Sequence, residues 1–198
     1  DTLARAPGEE RARRRLARAR RAALEASEAL VVSDYLGQAV APTLFQSLRR
    51  EFPGTLSVVD SRRRLLEFPG AAVATPNEPE VKALFPGRRF ADDDDFLAAG
   101  SELLERLGAR GVILKRGHRG MLVFERGRRP AALGIHGTSQ IVDVTGAGDT
   151  VLAVAALGLA GGAPLLEAAR LANVAGGVVV MHEGAYPLRR SELQDALR

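Results

Sequence analysis

Short, largely apolar runs alternate along this chain with longer stretches of helical periodicity. Ala29–Ser33, Thr55–Asp60, Ala71–Thr75 and Gly111–Lys115 each hold a few mostly apolar residues, the pattern of strands covered on both faces. Between them lie predicted helices at Pro42–Glu51, Glu78–Leu84 and Asp92–Leu107. Proline stands in the first turn of the first of these, and Gly108 ends the last. An earlier helix is predicted from Glu9 to Ala26, with Leu16, Ala19, Ala23 and Leu24 on one face. Gly120–Glu125 and Ala131–Ile135 read as a hairpin around Gly127. Ile141-Val142 then leads into a glycine turn at Thr145–Gly148. Three helices follow, over Ala147–Leu159, Pro164–Met181 and Arg190–Leu197.

Strands alternating with helices predict an α/β fold, a doubly wound and mostly parallel sheet with helices on both faces. Ligands in such sheets bind beyond the carboxyl ends of the strands. The polar residues that close the apolar runs, Asp34, Asp60, Asn77, Lys115 and Asp143, are expected to gather at that edge.

Length and composition narrow the picture. At 198 residues, with 46% apolar and 26% charged residues, the chain suits one soluble domain. No stretch reaches the roughly 18 apolar residues of a membrane span, and no basic-then-apolar leader opens the chain. Cysteine is absent, which removes disulfides, thiolate metal sites and a cysteine nucleophile. A cytoplasmic protein without a membrane partner is the expectation.

The net charge is +4, and only two of the basic residues, Lys82 and Lys115, are lysine. Seven arginines crowd Arg11–Arg21, which reads either as a nucleic-acid contact or as a solvated helix face. No aromatic residues interleave them for base stacking, so a solvated face and no nucleic-acid partner are expected. Asp92–Asp95 suits a helix N-terminus better than a metal site. His118, His136 and His182 lack ligand spacing.

The sharpest chemistry lies in Asp143-Val144-Thr145-Gly146-Ala147-Gly148-Asp149-Thr150, a glycine turn entering an apolar helix. Glycines let backbone approach a ligand, and the first N–H groups of a helix are unpaired and dipole-aligned, which makes an anion site. A carboxylate in that first turn stands beside any bound phosphate, where it can take a hydroxyl proton. Anion site and base together suit phosphoryl transfer to an alcohol. The plainer alternative is a helix cap with an acid in its first turn.

This octapeptide resembles the C-terminal signature of the PfkB, or ribokinase-like, carbohydrate kinases. Further segments agree in order: Val32-Ser33-Asp34-Tyr35, Thr75-Pro76-Asn77-Glu78-Pro79-Glu80 with an Asn-x-x-Glu pattern, Leu114–Met121 with Gly117 and Gly120, and Leu171–Val179 around Asn173. Within the family the chain looks most like the heptose 7-phosphate kinases of lipopolysaccharide precursor synthesis. The resemblance implies a ribokinase-like fold from which the N-terminal part is absent. Residues 1–198 would then be the C-terminal two-thirds of a kinase domain, with its ATP-binding and catalytic portion.

It implies roles as well. Asp149 would be the general base, and Gly146, Ala147 and Gly148 the backbone donors to the transferring phosphoryl. Asn77 and Glu80 would organise Mg²⁺, water and nucleotide phosphates, Glu80 indirectly. Gly117, Gly120 and Asn173 would border the nucleotide, and Asp34 the acceptor sugar. Asp143 and Thr145 would help hold a monovalent cation such as K⁺. Lys115 stands where relatives commonly carry Thr; it would reach the nucleotide phosphates as a mobile charge, or be a solvated strand end.

The function implied is transfer of the γ-phosphoryl of ATP to a sugar or sugar-phosphate hydroxyl, with heptose 7-phosphate preferred. Another ribokinase-like sugar or nucleoside kinase, or a nucleotide-binding module without turnover, are the alternatives. A homodimer is left open.

Overall fold

The computed structural model describes residues 7–35, 40–137 and 141–198. Helix α1 (Pro7–Glu25) precedes strand β1 (Ala29–Asp34), followed by α2 (Pro42–Glu51) and β2 (Leu56–Ser61). Next come β3 (Val73–Ala74), α3 (Glu78–Leu84), α4 (Asp93–Leu107) and β4 (Gly111–Lys115). The hairpin of β5 (Met121–Glu125) and β6 (Ala131–Leu133) leads to α5 (Ala147–Ala160), α6 (Leu165–Val179) and α7 (Arg190–Ala196). These elements follow the hydropathy pattern closely.

The strands form one sheet in the order β1-β2-β3-β4-β5-β6. β1 to β4 run parallel, and β5 and β6 are antiparallel, so the sheet is mixed, with three of its five pairings parallel. Each parallel step moves one strand the same way, which puts the right-handed crossover helices on one face. There Phe45 of α2, Val81 of α3 and Phe96 and Leu103 of α4 pack on Val59, Ala74, Val112 and Phe124. The chain returns after β6 to cover the other face, where α5 and α6 bury Val151, Leu152, Ala169 and Ala172 against Val58, Val73 and Ile113. Strand alternation sorts adjacent residues such as Val58 and Val59 onto opposite cores.

β3 is shorter than its apolar run. The hydroxyl of Ser57 accepts from the Ala72 N–H at 3.0 Å, taking a donor that a longer ladder would use. α1 also departs from expectation: Leu24 is buried but Leu16, assigned to the same face, is 56% exposed. Arg21 ties this helix to α2 through Glu51 at 2.8 Å, an exposed pair that solvent screens. No helix among the described residues is long and apolar enough to cross a membrane.

Candidate active site

At the carboxyl ends of β2 and β4 and beyond β1 and β3 lies a cavity of about 600 Å³. Asp60, Asn77, Glu80, Lys115, Gly117, Gly120, Gly146, Ala147, Gly148 and Asn173 all line it. The predicted nucleotide residues and glycine donors thus converge from four separate segments, with Asp60 from a fifth.

Asn77 starts α3 with a reciprocal cap. Its side-chain oxygen accepts from the Glu80 N–H at 2.9 Å, and Glu80 Oε2 accepts from the Asn77 N–H at 2.7 Å. Such a pairing satisfies two orphan helix donors and fixes both side chains at the rim. Burial pushes the Glu80 carboxyl upward, the Asn77 N–H opposes this, and nearby Asp60 adds to it. The Lys115 N–H donates to the Pro76 carbonyl at 2.8 Å, fastening the end of β4 beside this cap.

Lys115 is no solvated strand end. Its ammonium meets Asp60 Oδ2 at 2.5 Å, and both side chains are only 13% exposed. The other oxygen, Asp60 Oδ1, is buried and has no hydrogen-bond partner. Burial raises the Asp60 carboxyl, and Lys115 counters only part of that. A methyl group built at Gly148 would sit 3.5 Å from Lys115 Nζ, so the cation lies against the glycine turn.

Gly146 caps α5 in the left-handed region, at φ 78°, where a side chain is disfavoured. Asp143 braces the turn from outside. Its Oδ1 accepts from Thr145 N and Oγ1 at 2.9 and 2.7 Å, and Oδ2 accepts from Gly184 N at 2.9 Å. The Thr145 hydroxyl first, then the two N–H groups, hold the Asp143 carboxyl below the usual carboxylate range. Neither residue lines the cavity. A monovalent cation here would have to share oxygens the turn already uses.

Asp149 stands in the first turn of α5, exposed and outside the cavity lining itself, next to Gly148 and bonded to Tyr35, which both line it. Its Oδ1 accepts from the Ser33 hydroxyl at 2.8 Å and its Oδ2 from the Tyr35 hydroxyl at 3.0 Å. Burial first, and then the bond to Asp149, push the Tyr35 phenol up to about 12, so it stays a donor at neutral pH. The Arg62 guanidinium lies 5.8 Å from the Tyr35 ring centre.

Asp34, expected near an acceptor, is not brought here. Its carboxylate points into the opposite layer, 5% exposed, where Ser61 donates at 2.7 Å and Arg64 forks onto both oxygens at 2.7 and 3.2 Å. The period-two alternation of β1 explains this: with Val32 and Asp34 inward, Ser33 and Tyr35 face Asp149. That alternation was the available signal for both hydroxyl residues. Asn173 reaches the cavity with its amide donating to the Gly134 carbonyl at 2.6 Å.

One cluster was not anticipated. Arg116, buried beneath the rim, donates to Glu78 Oε1 at 3.0 Å and forks onto both oxygens of Asp93. Arg119 reaches the same two carboxylates at 2.5 and 2.9 Å. The Arg116 hydrogen bond holds the Asp93 carboxyl below its ordinary value. Asp92 and Asp95 do form the expected helix cap, each accepting from the other's N–H.

The family model for pfkB family carbohydrate kinases matches residues 9–191. The bifunctional protein HldE of Geobacter sulfurreducens is 37% identical over 174 residues, 85% of this chain and 34% of that protein. Its counterpart in Mesorhizobium japonicum is 38% identical over 197 residues, 96% of this chain and 38% of that protein. The chain therefore spans little more than a third of the length of these relatives. The crystal structure of ribokinase from Thermotoga maritima superposes with a TM-score of 0.72 at 24% identity, covering 88% of this chain and 58% of that one. The ribokinase-like fold and the extent of the family match agree, and the chain belongs to the pfkB family of carbohydrate kinases.

Proposed function

We propose that this chain carries the donor-binding and catalytic portion of a sugar kinase domain. The reaction is transfer of the γ-phosphoryl of ATP to a hydroxyl of a sugar or sugar phosphate, with heptose 7-phosphate as the preferred acceptor. Membership of a kinase family implies ATP and a divalent metal. The observation that carries the reading is that Asp149 directly follows the Gly146–Gly148 turn, which lines the cavity, and is bonded to Tyr35, which lines it too.

The chemistry follows from that pairing. Gly146, Ala147 and Gly148 line the cavity. The Ala147 N–H already donates to the Val144 carbonyl at 3.2 Å, so the N–H groups of Gly146 and Gly148 would stabilise charge on the phosphoryl in flight. Asp149 sits beside them, and each of its oxygens keeps a lone pair beyond the one held by Ser33 or Tyr35. An acceptor hydroxyl entering there would give its proton to Asp149 as its oxygen bonds to the γ-phosphorus, while the bond from that phosphorus to the bridging oxygen breaks and ADP leaves.

Mg²⁺ fits the donor set. Glu80 faces the cavity with Oε2 in the cap, and the unpartnered Asp60 Oδ1 lies close by. Mg²⁺ is held through one or two carboxylates, waters and phosphates, and it would neutralise phosphate charge here. Lys115 would add a mobile positive charge from its seat on Asp60. Asn173 and Gly117 would border the nucleotide, and Asp143 with Thr145 a monovalent cation. The heptose preference rests on Ser33-Asp34-Tyr35, Thr75-Pro76-Asn77 and the Asn173 segment, with bifunctional HldE proteins among the relatives supporting it.

The test is ADP release from MgATP with heptose 7-phosphate and with other sugars, comparing the parent and Asp149→Asn. Loss of a positioned base should lower acceptor-dependent release by about 10²–10⁴-fold while MgADP binding persists. Undiminished release in the variant overturns the mechanism. MgADP binding with no release on any acceptor favours the nucleotide-binding module instead.

A further inference from the structure

The cluster beneath the rim, buried at Arg116 and open to solvent at Asp93 and Arg119, joins two segments that are far apart in sequence and both border the cavity. Arg116 is 4% exposed in its side chain, yet it carries a full charge. Such burial is tolerated only where the fork of donors is satisfied. Here it is: Nε meets Glu78 and both terminal nitrogens meet Asp93. Glu78 is the first residue of α3, next to Asn77 and two before Glu80. Asp93 is the first residue of α4. Arg116 opens the turn that holds Gly117 and Gly120, and its N–H donates to the Gly120 carbonyl at 2.8 Å.

Arg119, at the far end of that turn, grips the same two carboxylates. The ring of Phe96 lies under both guanidinium groups, at 5.8 and 5.7 Å. Two cations and two carboxylates therefore close a neutral clamp across α3, α4 and the glycine turn. Glu78 and Arg116 themselves line the cavity.

We propose that Arg116 is a positioning residue for the phosphate donor: its fork onto Glu78 and Asp93 locks the Asn77–Glu80 cap and the Gly117–Gly120 turn in one relative placement, which the nucleotide then reads. This rests on the donor-site reading given above. Arg119 is the outer partner and keeps both carboxylates paired when Arg116 is removed. A lysine at 116 keeps the charge but not the fork.

The experiment compares Arg116→Met, Arg116→Lys and Glu78→Gln with the parent chain, using amide hydrogen exchange and MgADP titration. For Arg116→Met, exchange should quicken together in 76–81 and 116–121, while β1 and α6 keep the parent rates. MgADP affinity should fall on the order of tenfold. Arg116→Lys and Glu78→Gln should fall between parent and Arg116→Met in both readouts. Quickening confined to 116–121, unchanged exchange in both segments, or uniform quickening through α6 would each overturn the clamp. So would parent-like MgADP affinity in Arg116→Met. If the parent itself does not bind MgADP, the donor-site reading fails, and coupled or uncoupled exchange in the two segments still decides whether the clamp exists.

Discussion

The two sides of the cavity are built differently. On the donor side Asn77, Glu80, Lys115 and Arg116 are each held by partners within the chain, and none is more than partly exposed. At the mouth Ser33, Tyr35, Arg62 and Asp149 are all exposed, with Tyr35 at 59%. The first set is fixed by backbone caps and buried ion pairs. The second meets through hydroxyls that reach across from another strand. Phosphate handling demands donors already oriented when charge develops, because reorientation would cost part of the stabilisation. A mouth that admits an acceptor needs groups that can exchange partners.

The largest effect expected from breaking this contrast is on the donor side, at Gly120. Its backbone sits at φ 76° and ψ −128°, a region essentially restricted to glycine. A methyl group there would lie 2.0 Å from the Leu133 carbonyl oxygen, and backbone cannot rotate away. Gly120→Ala should lower stability by about 3 kcal/mol, strain and overpacking together. Gly117 is the internal control: its φ is 55°, but nothing lies within 4 Å of an added methyl. Gly117→Ala should cost about 1 kcal/mol. Urea unfolding of the two variants checks the difference, and equal losses would mean the turn is not braced against β6.

A smaller effect is expected at the mouth. Tyr35→Phe removes one donor to Asp149 but keeps the ring beside Arg62. A hydrogen bond to a charged group contributes about 1.5–3 kcal/mol when it is well sheltered, and this one is largely exposed. Acceptor-dependent turnover should fall on the order of tenfold, with MgADP affinity and unfolding midpoint unchanged. A matching loss of MgADP affinity would erase the distinction between the two sides.

The same contrast explains what was legible in the sequence. The Asn77–Glu80 cap closes over three residues, and the Asp143–Thr145 brace over two, so local spacing carries both. Continuous apolar runs likewise marked the strands, because each must cover two cores. Ser33 and Tyr35 meet Asp149 across 116 and 114 positions, and the Arg116 clamp spans 38 and 23. Such contacts depend on which way a strand end turns, and composition does not encode that. Asp34 illustrates the cost of reading a motif without its face: the strand turns it toward Arg64. The sequential strand order was equally hidden, since helices on both faces suit several orders.

The smallest expected effect has the opposite sign for stability and for function. Glu80 lies half-buried on the donor side, where burial raises its carboxyl and the nearby Asp60 adds to the cost of its charge. Gln at this position keeps an oxygen for the Asn77 N–H, so the cap survives. Below the ordinary Glu value both folded and unfolded Glu80 hold the proton, and parent and Glu80→Gln should unfold alike. As pH rises through the raised folded value, the parent must ionise a partly desolvated group, and stability is lost. The variant should therefore pull ahead as pH rises above the ordinary Glu value and keep that lead at neutral pH, by about 0.5 kcal/mol or less given the solvent that reaches Glu80. On the proposed reading its phosphoryl transfer should fall over the same range, because the charge that burial disfavours is the one Glu80 would offer a divalent metal. Urea midpoints across pH, set beside turnover, read both. A variant less stable than the parent at neutral pH would mean that the Glu80 charge is held by Lys115 and Arg62 more strongly than burial opposes it, and the donor side would then be the more stable for its carboxylate.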